Sequence, residues 1–386
     1  GLAMSNVPLP AWVFDGRHGV HAPEGSWSAA AAALKPRSTL PVYGRQLYPE
    51  QVLGEAAPDA GVTLWENTGV RLWHLPARDA RIGIVSFKSK MHAIGDDVLD
   101  GVLEAIARAE RDLDALVLWH EAPFAVGANL LQVTEAFKAG QFDMLEKTVA
   151  KFQQASMALK HAQVPTVAAV QGMALGGGCE FAMHATHRLL ALESYVGLVE
   201  VGVGLIPAGG GSKEFALRAA AMARRAAGGD VFPFIQTMFQ TIAMGTVSKS
   251  ALQAVELGFA TASDDIVFNA HELLHVALHR ARALAESGYA PPRVQRAVTV
   301  AGKSGIATCE MMLINMQEGG FISPWDYRVG KAVATALCGG EVDTNAKVSE
   351  QWILDVERAL FVDLLKTEKT QQRIQHMLET GKPLRN

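Results

Sequence analysis

Apolar and polar positions along the chain change period in a regular way from about residue 80 onward. IGIVSF, residues 82–87, is a short apolar run of strand length. DDVLDGVLEAIARAE, residues 96–110, then repeats apolar groups at 98/99, 102/103 and 106. That spacing predicts one face of a helix, with two aspartates in the first turn where the helix dipole favours them. ALVLW at 115–119 predicts a second strand, and Phe142, Leu145, Val149, Phe152 and Leu159 mark a long amphipathic helix. TVAAVQ at 166–171 predicts a third strand; it runs into GMALGGG, after which a helix is expected from about Cys179. Past residue 210 the periodicity is helical, without a short repeat or a heptad run. Within it, residues 264–287 predict one helix, with Ile266, Ala270, Leu273, Leu274, Ala277, Ala281 and Leu284 on a single stripe. Strands that alternate with helices imply an α/β fold with crossover connections.

Proline distribution divides the chain further. Seven of the 16 prolines fall in residues 1–58, together with the alanine run 29–33. The expected organisation is therefore a proline-rich extension or connector at 1–79, a catalytic core at 80–285, and a helical C-terminal region at 286–386 after the Pro291-Pro292 break. The start, GLAMSNVPLPAW, lacks a basic stretch followed by an apolar run. Met4 preceded by Gly-Leu-Ala reads as a cloning remnant or as a chain cut from something longer.

Composition narrows the function classes. The 386 residues are 49% hydrophobic and 19% charged, ample for a core. A net charge of −4 gives no electrostatic case for nucleic acid or an anionic membrane. The three cysteines, Cys179, Cys309 and Cys338, form no CxxC pair, which argues against a disulfide scaffold or cysteine zinc site and fits a cytoplasmic setting. A long uncharged run, 164–179, is interrupted by Pro165 and four glycines and predicts strand-turn-helix rather than a membrane span.

Three motifs carry chemistry that the surrounding sequence does not support. HELLHVALH, residues 271–279, contains the His-Glu-x-x-His of zinc proteases, yet lacks the Gly-containing spacer to a third ligand, and its histidines fall off the apolar stripe; no metal is expected. GVGLIP at 202–207 has Pro207 where a dinucleotide loop needs its third glycine. GGGSK at 209–213 has phosphate-loop residues in the wrong order.

The informative segment is 164–211. A strand leads into Gly176, Gly177 and Gly178, and a helix follows, so free N–H groups and the positive dipole end would meet whatever binds there. Such a turn suits a developing negative oxygen, though it would equally serve close packing of helix on strand. Glu180 lies in the first turn beside it and Glu200 twenty residues on, two carboxylates of the kind general acid/base chemistry uses.

ALGGGCE (174–180) with the Ile-Pro-Ala-Gly-Gly turn (206–210), the FAVGAN loop (124–129) and AVELGFA (254–260) together resemble the crotonase superfamily, enoyl-CoA hydratases in particular, over about residues 80–285. The likeness is greatest to the hydratase portion of multifunctional 3-hydroxyacyl-CoA dehydrogenase/enoyl-CoA hydratases. It implies a crotonase-type ββα spiral core and reversible hydration of 2-trans-enoyl-CoA to 3-hydroxyacyl-CoA in fatty-acid β-oxidation. The backbone N–H groups of Ala128 and Gly177 would form the oxyanion hole, Glu180 would activate water and Glu200 would protonate the α-carbon. Lys88, Lys90, Ala125, Gly127, Leu130, Leu131 and Gly176 are the implied substrate and CoA contacts. Alternatives are a Δ3,Δ2-enoyl-CoA isomerase, which commonly manages with one glutamate, and a catalytically silent acyl-CoA-binding module. Coenzyme A arrives as part of the substrate, with no separate cofactor; NAD would enter only with a dehydrogenase module in cis. A homo-oligomer is the other implied assembly. Asn129 where Asp is usual, Thr186 where Asp is common and Val199 where Pro is frequent depart from the family pattern.

Overall fold

The structure is a computed structural model, and it describes residues 8–16, 20–22, 24–47 and 60–386. Its centre is a seven-stranded sheet: β1 (Val62–Glu66), β2 (Val70–Leu75), β3 (Asp79–Phe87), β4 (Ala115–Leu118), β5 (Thr166–Leu175), β6 (His187–Gly197) and β7 (Asp265–Val267). The strands lie side by side in chain order. β1–β2 and β2–β3 pair antiparallel, and every later pair is parallel. The helices are α1 (Asp96–Asp112), α2 (Leu130–Lys138), α3 (Phe142–His161), α4 (Gly177–His184), α5 (Gly211–Arg225), α6 (Phe232–Ala243), α7 (Ala251–Glu256) and α8 (Leu273–Glu286), followed by α9 (Gly302–Glu318), α10 (Pro324–Leu337), α11 (Glu350–Leu365) and α12 (Glu368–Thr380).

The two-residue period of the strands builds both cores at once. Ile82, Ile84, Ala115, Val117, Val167 and Ala169 face one side, where α8 covers them with Leu273, Leu274, Ala277, Leu278 and Ala281. Val85, Phe87, Leu116, Leu118, Ala168 and Val170 face the other, against α1, α3 and α4. Ile306, Leu313, Val333, Leu337, Ile353 and Ile374 of the C-terminal helices belong to that same second cluster, so region 286–386 shares the catalytic segment's core.

Three expectations need correction. The boundary at residue 80 falls inside β3, because β1 and β2 upstream of it are strands of the main sheet. Residues 264–287 are not one helix: β7 adds to the sheet beside β6, a 3-10 turn (Ala270–Glu272) follows, and α8 begins at Leu273. His271 thus precedes the helix that carries His275 and His279, which breaks the one-turn spacing the zinc motif requires. Among the described residues no group of three or more His, Cys, Asp or Glu could hold a metal. The helix of the 164–184 segment starts at Gly177, two residues before Cys179. The described part of the proline-rich segment forms three short antiparallel strands, 21–22, 25–28 and 33–35, and all buried apolar residues of the described chain lie at or beyond Val70. No helix among the described residues is long and apolar enough to cross a membrane.

Candidate active site

The end of β5 decides where the chemistry sits. Gly176 has φ 53° and ψ −125°, a conformation that a side chain would strain, and it turns the strand directly into α4. Closely packed neighbours account for the next two glycines: a Cβ on Gly177 would stand 2.6 Å from Phe152 Cζ, and one on Gly178 would stand 2.7 Å from the Ala125 carbonyl oxygen. As the first residue of α4, Gly177 has an N–H outside the helix's own ladder.

The 124–129 loop runs alongside. Phe124 and Ala125 donate to Gln171 O and Met173 O, each at 3.0 Å, and Leu175 donates back to Ala125 O at 2.9 Å. Ile94 then bonds to both sides of Ala128, donating to Gly127 O (2.8 Å) and accepting from Asn129 N–H (2.9 Å). In a parallel bridge of this kind the residue flanked by both bonds turns its own N–H away from the partner strand. Ala128 and Gly177 both line one cavity of about 1270 Å³. A Cβ on Gly127 would lie 3.5 Å from Gly177 N, a measure of how near the two segments run.

Glu180 and Glu200 line the same cavity, so the two carboxyls and the two main-chain amides meet on one wall system. Their environments differ sharply. Glu180 Oε1 accepts from the N–H groups of Gly209 and Gly211, each at 2.8 Å. Burial pushes its carboxyl up to about 7, opposed by these two donors and by the Lys213 ammonium. Glu200 starts the 3-10 turn Glu200–Val203; its Oε1 would lie 3.1 Å from a Cβ on Gly176. Its Oε2 is buried with no hydrogen-bond partner among the described residues. Burial, and then the nearby Glu180 charge, drive Glu200 well above the ordinary carboxylate range. Burial thus raises both carboxyls, Glu180 to about 7 and Glu200 well above the ordinary range, through different surroundings of the kind that set an acid/base pair apart.

Behind Glu180 lies a buried polar layer. His184 is held as the Nδ1–H tautomer by the Glu180 carbonyl (2.6 Å), which leaves Nε2 to accept from Lys213 Nζ at 2.9 Å. Lys213 also pairs with Glu214 at 2.5 Å, and Lys160 pairs with Glu214 (2.7 Å) and Glu350 (3.2 Å). Burial comes first in lowering both His184 and Lys213.

Of the implied substrate contacts, Gly127, Leu130 and Gly176 line the cavity. Lys88, Lys90, Ala125 and Leu131 do not. Lys88 Nζ is engaged by Glu66 (3.0 Å) and the Asn67 carbonyl (2.9 Å), Lys90 is exposed, Ala125 is fully buried beneath the loop, and Leu131 faces outward at 60% exposure. Asn129 caps α2, accepting from Leu131 and Gln132 N–H, a task Asn and Asp perform about equally. Thr186 keeps polar contacts with Thr166 and Tyr289. The clamp on Glu180 was not foreseen. The glycines of GGGSK, out of order for a phosphate loop, bring free N–H groups to a helix start, and the anion they serve is a carboxylate of the chain itself.

Two main-chain amides, at Ala128 and Gly177, and two carboxyls, Glu180 and Glu200, thus border one largely apolar cavity. The family profile described as Enoyl-CoA hydratase/isomerase matches residues 78–227. Residues 78–227 are thus a segment of the crotonase, or enoyl-CoA hydratase/isomerase, family. It is 37% identical over 306 residues to a probable 3-hydroxyacyl-CoA dehydrogenase of Bacillus subtilis, a match that covers 79% of this chain and 38% of that protein. A probable enoyl-CoA hydratase of Mycobacterium bovis is 32% identical over 144 residues, covering 36% of this chain and 54% of the relative. The chain thus spans roughly two fifths to half the length of these relatives. Among solved structures, an enoyl-CoA hydratase from Bacillus halodurans superposes with a TM-score of 0.52 at 16% identity, covering 79% of this chain and 98% of that one. An enoyl-CoA hydratase/isomerase from Xanthobacter autotrophicus Py2 also gives 0.52, at 17% identity, covering 82% and 95%. At those identities the likeness speaks for the fold.

Proposed function

We propose that this chain hydrates 2-trans-enoyl-CoA thioesters reversibly to 3-hydroxyacyl-CoA. The thioester oxygen sits between the Ala128 and Gly177 N–H groups, which stabilise it as it becomes an enolate oxygen. Ionised Glu180 takes a proton from water, the hydroxide oxygen bonds to C3, and the C2=C3 electrons move toward the thioester. Protonated Glu200 then supplies the proton that C2 acquires. Adding water across a conjugated bond needs one group that accepts a proton and another that gives one, with the charge stabilised between. The observation that carries the reading is the unequal surroundings of the two glutamates: one clamped by two N–H donors, the other withdrawn from water with one oxygen, Oε2, lacking a partner among the described residues.

The walls support an acyl substrate. Met312, Leu313, Met316, Phe321, Phe361 and Met377 of the C-terminal region line the cavity beyond the Glu200 turn. A flexible apolar chain fits a wall rich in methionine, whose side chains adapt to irregular occupants. A relative named fatty acid oxidation complex subunit alpha, from Colwellia psychrerythraea and 31% identical over 137 residues, connects this reading with fatty-acid oxidation. Loss of the conjugated-thioester absorbance of crotonyl-CoA tests it. Wild type should turn over, and Glu180→Gln and Glu200→Gln should each be strongly impaired. Wild-type inactivity on every chain length would defeat the proposal, and 3-enoyl-CoA turnover that survives Glu180→Gln would favour isomerisation.

A further inference from the structure

Glu357, on α11, lies outside the segment matched by the family profile, yet it touches the machinery around Glu180. Its side chain is fully buried. Its Oε2 accepts the Lys213 N–H at 3.1 Å, and Oε1 faces Gln153 Nε2 at 3.4 Å. Lys213 is the third residue of α5, so its N–H is one of those a helix start leaves without an internal partner. Gln153 Nε2 also donates to Ala208 O (2.9 Å) and Leu354 O (2.8 Å), while its Oε1 accepts from Arg358 Nη1 at 2.6 Å. The stretch 208–213 is therefore pinned at four points: Ala208 by Gln153, Gly209 and Gly211 on Glu180, and Lys213 on Glu357.

We infer that Glu357 is a positioning residue for Glu180: by capping α5 from the C-terminal region, it holds the 209–211 turn at the register where both glycine N–H groups reach one carboxylate oxygen. The inference rests on the reading of Glu180 as the base. Glu357 reaches no substrate itself, since it is absent from the cavity walls. Burial and then the Glu180 charge push its own carboxyl well above the usual range, opposed by Lys213. The charged and titratable groups that face Glu180 are Glu200, Lys213 and Glu357, with Cys179 and His184 on its own helix.

The test compares Glu357→Ala with Glu357→Gln, which keeps a carbonyl acceptor of the same reach. With crotonyl-CoA, Glu357→Ala should lower kcat at neutral pH about tenfold, leave KM within about twofold, and move the acid limb of the pH profile up by about one unit, the size of change one lost carboxylate contact produces. Glu357→Gln should restore both. If the alanine variant does not fold, Glu357→Leu carries the same comparison. Loss of thermal stability with an unmoved acid limb, or a glutamine variant as impaired as alanine, would overturn the inference. A carbon-13 titration of the Glu180 carboxyl, assigned with Glu180→Gln, separates this from failure of the hydratase reading. A titration that moves in Glu357→Ala sustains the positioning role even in a protein inert toward enoyl-CoA, and one that does not move defeats it.

Discussion

Gly209→Ala probes the clamp on Glu180 most sharply. A Cβ at this position would stand 2.5 Å from Glu180 Oε2 and 2.5 Å from Phe152 Cδ1, so the backbone must move and the 2.8 Å bond from Gly209 N–H to Oε1 is lost or stretched. A hydrogen bond to a charged group contributes about 1.5–3 kcal/mol. Because this donor favours the ionised carboxylate, its loss raises the Glu180 pKa; at about 1.4 kcal/mol per unit, the rise is roughly one to two units. Starting from about 7, the carboxyl is half ionised at neutral pH. After the substitution the ionised share at pH 7 falls to roughly one part in ten to one in a hundred. kcat/KM for crotonyl-CoA at pH 7 should then drop about 5- to 50-fold, and the gap from wild type should close to within about twofold near pH 9. A variant-to-wild-type ratio that stays constant from pH 6 to pH 9, in protein whose circular dichroism matches wild type, would refute the reasoning.

Glu200→Gln removes the proton donor while keeping its shape, and steady-state kinetics should show kcat down by about 10²–10⁴. Met316→Trp fills the C-terminal wall of the cavity; the ratio of kcat/KM for dodecenoyl-CoA to that for crotonyl-CoA should fall at least about tenfold, the effect of roughly 1.4 kcal/mol of overpacking felt by the longer chain alone. Asp264→Ala strips the partner from buried Arg188, which bonds Asp264 at 2.7 Å and caps the carbonyls of Ala182, Met183 and Ala185 at the end of α4. Denaturant unfolding should show a loss of about 3–5 kcal/mol, the usual cost of an orphaned buried charge.

How much of this was legible in the chain depended on range. Strands 82–87, 115–119 and 166–171 and the helix at 96–110 announce themselves because each buries its own periodic face, and the glycine run before Glu180 marks a turn whatever it binds. The hairpin of β1 and β2 also alternates, with Trp65, Leu72 and Trp73 on its faces, but its proline-rich surroundings masked it. β7 is three residues long and takes its strand character from β6, so no local pattern separates it from the helix that follows. The clamp on Glu180 and the cap from Glu357 were invisible for a deeper reason. Their donors are main-chain N–H groups at Gly209, Gly211 and Lys213, which carry no side-chain signature, and their acceptors lie 29, 31 and 144 positions away. Sequence position alone does not show whether an acid already holds a basic residue, as Glu66 holds Lys88.

The central claim is that one carbonyl oxygen, two main-chain amides and two glutamates share a single site. A crystal structure of this protein with acetoacetyl-CoA tests it most directly. The account predicts the thioester oxygen about 2.7–3.1 Å from both the Ala128 and Gly177 nitrogens, with the Glu180 and Glu200 carboxyls on either side of C2 and C3. A thioester bound elsewhere in the cavity, or seated with its oxygen away from those two amides, would contradict it.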